Sequence, residues 1–316
     1  MSAMAPSPDS PAALRPLLPV AASSSGGLPR CAIFLSGGGS NAEEILRRLR
    51  ADEAAGRATF QVACLVTDAP RTSRARELGE AYHLPVVEED IREFYHARGE
   101  ARVSLATEAG RRLREEWTAR LKEKLEAHSL AFGVFAGFVP LTNLTAELPC
   151  LNVHPGDLTY LKEGRRHLVG LHQIPVERAI LEELDWLRSS VILATPVTGG
   201  GEDMDGGPLL GISPAMPMEV PGEQRAAFRQ EASARPSRRP AGGVQDGLEK
   251  CAQGFQEKLK EAGDWVVFYP VLRDFGADRF YLDATGHLHF RQGNGHFLPI
   301  RTVEYGKDGS RELLLG

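Results

Sequence analysis

From residue 30 onward the chain alternates short apolar runs with amphipathic stretches, at a spacing that favours strands and helices wound into a parallel sheet. Residues 31–35 (CAIFL) read as a strand, 36–40 as a glycine loop and 41–51 as a helix that buries Ile45 and Leu46. Strand signals recur at 60–66, 84–87, 130–138 and 150–154, with helices expected at 73–82 and 108–128. The run 130–138 is apolar throughout, as in a central strand covered on both faces. Further on, 175–184 suits a helix with proline in its first turn, and 189–194 suits a strand paired with 208–212. A helix at 248–262, a hairpin of 279–282 with 287–291 and a strand near 300–305 complete the reading, which is that of an α/β fold.

Residues 1–28 are dense in Ala, Pro and Ser, and Pro16 and Pro19 interrupt Leu14, Leu17 and Leu18, so a disordered tail is expected before a domain spanning 29–316. The tail lacks the unbroken apolar core of a secretory signal, which favours a cytoplasmic protein; its Ser content with Arg15 and Arg30 leaves a transit peptide open. Residues 219–248 are polar, Arg- and Pro-rich and without apolar periodicity, so a mobile insertion is expected there. Its arginines, Arg225, Arg229, Arg235, Arg238 and Arg239, suit a phosphate patch, although a solvated loop is the commoner role. A net charge of −5 argues against a general nucleic-acid binder, which needs a dominant cationic surface. No apolar run is long enough to span a membrane. Cys31, Cys64, Cys150 and Cys251 lack zinc-site spacing and read as inert thiols; no metal is expected. A homodimer is neither specified nor excluded.

Asn152 and His154 stand at i and i+2 of an expected strand, so both side chains face the same way. An amide and an imidazole aimed together suit acyl transfer. The amide can stabilise a developing oxyanion, and the imidazole can donate to it or relay a proton if a carboxylate fixes it. Asp205, in DMDGGP, is the carboxylate nominated. Taken singly, NVHP is more readily a strand end with a solvated His, and DMDGGP an ordinary turn. The loop of Gly37, Gly38, Gly39, Ser40 and Asn41 lies between a strand and a helix, where backbone N–H groups and the helix dipole suit an anion. It has neither the Lys of a Walker loop nor GxGxxG spacing, and a capped tight turn is the plain alternative.

In order, FLSGGGSN, VFAGFVPLT, LNVHPG, GLH and MDGGPLL resemble the 10-formyltetrahydrofolate-dependent formyltransferases, most of all members that act on glycinamide ribonucleotide in purine synthesis. The resemblance runs with gaps from about residue 30 to about residue 272. It implies a Rossmann-like, mostly parallel sheet with helices on both faces and 10-formyltetrahydrofolate as cosubstrate. It also implies catalytic roles for Asn152, His154 and Asp205, a substrate phosphate at Gly38, Gly39, Ser40 and Asn41, and folate beside Phe138, Val139, Pro140, Leu141 and Met204. Partners would then be small molecules, with neither nucleic acid nor membrane. Relatives of this kind also act on amino-sugar nucleotides, aminoacyl-tRNA or water, and a non-catalytic folate or nucleotide binder is the reading from another class. The stretch DLTYLKEGRRHLVGLH departs from the family's pattern, adding Asp157 and a basic cluster of Lys162, Arg165, Arg166 and His167 that is expected to rewrite one wall of the acceptor pocket. Ile192 stands where a His is common, and Lys258, Lys260 and Glu261 offer no clear match to the family's phosphate-binding pair. His172 fits the pattern either as a site residue or as the start of a helix.

Overall fold

The computed structural model describes residues 14–19, 27–171, 173–196, 205–237, 239–240 and 242–316. Strand β1 (Arg30–Phe34) leads through α1 (Ser40–Ala54) to β2 (Gln61–Thr67), α2 (Ala75–Tyr82) and β3 (Val86–Glu88). Helices α3 (Ile91–His96) and α4 (Glu108–Leu125) then precede β4 (Phe132–Phe135) and β5 (Cys150–His154). β1 lies between β2 and β4, with β3 beyond β2 and β5 beyond β4, every pairing parallel. The chain therefore winds outward from β1 to one edge and starts again on the other side of β1. Such a reversal leaves a crevice at the carboxyl ends of the strands that flank it, here β1 and β4.

Successive side chains of a strand point to opposite faces. Cys31 and Ile33 of β1 accordingly pack in one core with Ile45 and Leu46 of α1, while Ala32 and Phe34 join Leu113, Trp117 and Leu121 of α4 in another. Helices cover both faces, which is why these strands are apolar without alternation.

The second half adds α5 (Ile174–Leu181), β6 (Ser190–Leu193), β7 (Leu209–Ile212), α6 (Gly222–Ala234), α7 (Gly247–Leu259) and α8 (Trp265–Gly276). It ends in β8 (Phe280–Leu282), β9 (Leu288–Arg291), β10 (Phe297–Tyr305) and β11 (Arg311–Leu315). β6 runs antiparallel to β5 and β7, and β10 joins β7 in parallel, so a C-terminal antiparallel meander extends the sheet to twelve strands.

Four places differ from the sequence reading. Gly137, at φ 83°, turns the chain out of the sheet soon after β4, so the apolar run 130–138 yields a four-residue strand. Within the expected tail, Arg15–Pro16 pairs with β8, and Leu17 and Leu18 are buried in the main core. Burying each leucine is worth about 1.5–3 kcal/mol, enough to hold a short segment in place. Residues 1–13 and 20–26 lie outside the described residues. The 219–248 stretch carries α6, which buries Phe228 and whose Arg225 donates to Asp185 at 3.0 Å. Arg235 and Arg239 just beyond it converge on Glu177 of α5 at 2.7 and 2.9 Å, and Arg229 meets Glu183. Finally, the helix expected to end at 262 passes through a π-helical turn, Lys260–Asp264, into α8, which accommodates Pro270 in its interior. Among the described residues no helix is long and apolar enough to cross a membrane.

Candidate active site

At the carboxyl ends of β1, β4 and β5 a cleft of about 310 Å³ is lined by Gly38, Gly39, Ser40 and Asn41, by Phe138, Val139, Pro140 and Leu141, and by Asn152, His154 and Asp205. Residues far apart in sequence thus meet because β1, β4 and β5 are parallel neighbours ending at one edge. Met204, the remaining residue nominated from the sequence, lies outside the described residues, as does His172.

Asn152 is half-buried and His154 is 3% exposed. His154 Nε2 donates to the Leu168 carbonyl at 2.7 Å, and Nδ1 stands 3.6 Å from Asp205 Oδ1. A carbonyl only accepts, so Nε2 carries a proton, and both ring nitrogens face acceptors. Asp205, itself buried, also accepts from the Gly170 N–H at 3.2 Å. Gly156 makes room for this packing, since a Cβ there would lie 2.6 Å from the Leu168 carbonyl oxygen and 3.0 Å from His154 Nε2. Across the antiparallel pairing, Ser190 stands opposite His154 and the fully buried Ile192 opposite Asn152. The place next to Asn152 is therefore apolar, as the sequence suggested.

The glycine loop ends at Gly39, with φ +65°, immediately before α1. No side chain caps this helix, so the first-turn N–H groups, those of Ser40 and Asn41 among them, stand at the positive end of its dipole. A Cβ on Gly39 would lie 2.8 Å from Leu35 Cδ1 and 3.1 Å from Leu78 Cδ1. Gly39→Ala is therefore expected to destabilise the protein by about 1–3 kcal/mol, from the left-handed backbone and the overpacking together. Chemical denaturation checks this; an unchanged midpoint would show that the loop does not need its glycine.

The opposite wall starts from Gly137. Val139 is 47% exposed, whereas the Phe138 ring packs against Phe34, Phe135 and Trp117 at 5.3, 5.4 and 6.3 Å. Phe138 therefore braces the segment, and Val139 offers the apolar surface. The Val139 N–H donates to Ser36 Oγ at 2.9 Å, and Ser36 Oγ donates to Asp68 at 2.5 Å. Burial raises the Asp68 carboxyl, partly offset by the Ser36 hydrogen bond.

Among the cleft residues that escaped the sequence reading, Asp264 is the charged one. Asp264, in the π-helical turn, accepts from Asn41 Nδ2 at 2.9 Å and from Ser189 Oγ at 2.5 Å. Burial pushes its carboxyl up, while Ser189 and Asn41 oppose the shift. Among the described residues Asn41 Oδ1 is buried without a hydrogen-bond partner. Gly263 permits the approach, since a Cβ there would lie 2.5 Å from Ser189 Oγ. Single π-turns recur at functional sites because they re-aim a side chain, and here the turn also brings Lys260 to the cleft. The sequence signal was a lone Asp before an aromatic helical run, too weak to separate from a helix cap.

The basic cluster does not rewrite the wall as expected. Lys162 and His167 pair with Glu182 at 2.6 and 3.1 Å, and Asp157 faces Arg188 and Thr159. Gly170 and Leu171 line the cleft instead. Lys258 lies over the Phe255 ring, leaving Lys260 as the cation of that pair at the cleft. Among the described residues no group of three His, Cys, Asp or Glu side chains is placed to hold a metal ion.

Topology and cleft together define an α/β protein of the formyltransferase fold. Among solved structures, phosphoribosylglycinamide formyltransferase from Coxiella burnetii is similar over 88% of this chain and 100% of that chain, at 15% identity and a TM-score of 0.56. The phosphoribosylglycinamide formyltransferase from Anaplasma phagocytophilum is similar over 88% of this chain and 98% of that one, at 14% identity and a TM-score of 0.54. No family model matches the sequence, and no curated protein does.

Proposed function

We propose that this protein is a cytoplasmic formyltransferase that moves a one-carbon unit from 10-formyltetrahydrofolate to a primary amine, with glycinamide ribonucleotide as acceptor. The observation that carries the reading is the convergence of Asn152, His154 and Asp205 in the same cleft as an uncapped helix start bearing Ser40 and Asn41. The folate cosubstrate supplies the electrophilic formyl carbon. Its place is between the 138–141 segment, with the exposed Val139, and the Asp205 turn, while the acceptor phosphate lies on the N–H groups before α1.

Asn152 donates to the formyl oxygen as the amine adds, stabilising the tetrahedral oxyanion. His154 reaches that oxygen once its Nε2 leaves the Leu168 carbonyl, and Asp205 holds the other side of the ring and takes up the amine proton. Collapse of the intermediate then breaks the bond between the formyl carbon and N10 of the folate, and the proton passes from Asp205 to that nitrogen as it leaves. Lys260 adds positive charge near the acceptor, and Asp264 with Asn41 sets the polarity of that end.

The test follows release of the deformylated product from 10-formyl-5,8-dideazafolate with and without glycinamide ribonucleotide. Release that requires the ribonucleotide is the expected result. Release without an acceptor would make the protein a hydrolase, and no release in either would remove the catalytic reading.

A further inference from the structure

His154 and Asp205 are both held by one short segment, 166–170, within the stretch that departs from the family pattern. Arg166 Nη1 donates to the Asp205 carbonyl and, at 2.8 Å, to the Gly207 carbonyl. Two residues on, the Leu168 carbonyl accepts from His154 Nε2. Two further on, the Gly170 N–H donates to Asp205 Oδ2. The contacts fall at 166, 168 and 170: the short strand Arg165–Arg166 ends at the first, and the chain then bends at Leu168 and at Gly170, where φ is 116°. The carbonyls of His167 and Val169 accept from Arg178 of α5 at 3.0 and 2.8 Å, so the segment is pinned from the helix as well.

We propose that Arg166 is a positioning residue for the formyl-transfer site: its guanidinium fixes the turn carrying Asp205 and so sets where that carboxylate stands relative to His154. The proposal rests on the function assigned above, since Arg166 matters to rate only if the His154–Asp205 pair does. The geometry supports it on two counts. Arg166 is half-buried, and one guanidinium nitrogen, Nη1, donates to two carbonyls of one turn, those of Asp205 and Gly207. Misplacing a catalytic group by an ångström is enough to lower turnover by about 10²-fold.

Arg166→Met keeps much of the side chain's length and apolar stem without its donors, and Arg166→Lys keeps a donor. With the whole protein, the Met variant is expected to lose about 30- to 100-fold in kcat with the KM for 10-formyl-5,8-dideazafolate changed less than about threefold, and Lys to recover part of the loss. Amide hydrogen exchange at Gly170 gives a readout independent of turnover: its protection, which depends on the Asp205 carboxylate, falls in the Met variant while β4 and β5 stay protected. A folded Met variant with unchanged kcat and unchanged Gly170 protection would overturn the proposal. So would loss of the fold in both variants, which would make the guanidinium part of the core. If the unmodified protein transfers no formyl group, the functional reading fails on its own, and Gly170 protection still decides whether Arg166 holds the turn.

Discussion

Replacing His154 with alanine is expected to lower kcat for formyl transfer by about 10²–10⁴ while leaving affinity for the folate donor within a few-fold. His154 is almost wholly enclosed, with Leu168 on one nitrogen and Asp205 on the other, so it has few contacts to contribute to donor binding. Asn152→Ala is expected to cost about 10²–10³, the usual effect of removing an oxyanion donor. Both are read in single-turnover experiments beside an equilibrium binding measurement. Donor binding retained with turnover lost supports the assignment. Turnover retained in His154→Ala would mean that the oxyanion needs no donor from the imidazole, and the assignment would fall.

The parallel half of the sheet was legible because its strands are buried on both faces, so Cys31 to Leu35 and Leu130 to Phe138 stand out as apolar runs. Legibility ended where tertiary packing overrides local pattern. Pro16 made the N-terminal stretch look unstructured, yet Leu17 and Leu18 are buried beside β8, an interaction with residues more than 200 positions away. Residues 222–234 have little apolar periodicity. Their helix is held by Phe228 and by arginines bonded to carboxylates of other elements, which no local window reveals. In the site, Asn152 and His154 were readable from a two-residue spacing. The partners that orient His154 were not, because Leu168 contributes a backbone carbonyl and Arg166 acts on backbone, leaving no side-chain motif. Asp264 was hidden for a further reason: the π-turn shifts the helical register, so its place in the cleft does not follow from a 3.6-residue repeat.

Asp264→Asn is expected to make the protein more stable and less active at neutral pH. The carboxyl is raised by burial, so the folded chain holds a proton that the unfolded chain gives up in the window from the unfolded value, about 3.9, up to the raised folded value. Stability contributed by this group falls as pH rises through that window and stays lower above it. An amide carries no such penalty. It also keeps an acceptor for Ser189 Oγ, and with the Asn41 amide reversed its N–H donates to Asn41 Oδ1, so the Asp264–Asn41 hydrogen bond is kept. The gain, from no longer burying a carboxylate, is about 1–3 kcal/mol at pH 7, and it disappears below about pH 4. Activity moves the other way, because the variant reverses the Asn41 amide beside the helix start; the KM for glycinamide ribonucleotide is expected to rise about tenfold or more. Thermal unfolding from pH 4 to 8 alongside steady-state kinetics checks both halves. A variant no more stable than the parent at pH 7 would show that the Asp264 carboxylate is fully compensated where it stands. A variant more stable and equally active would place Asp264 in the scaffold of the cleft and not at its acceptor end. The pairing of higher stability with weaker acceptor binding is what a buried acid retained for function produces, since the carboxyl that orients Asn41 is the group whose burial opposes folding.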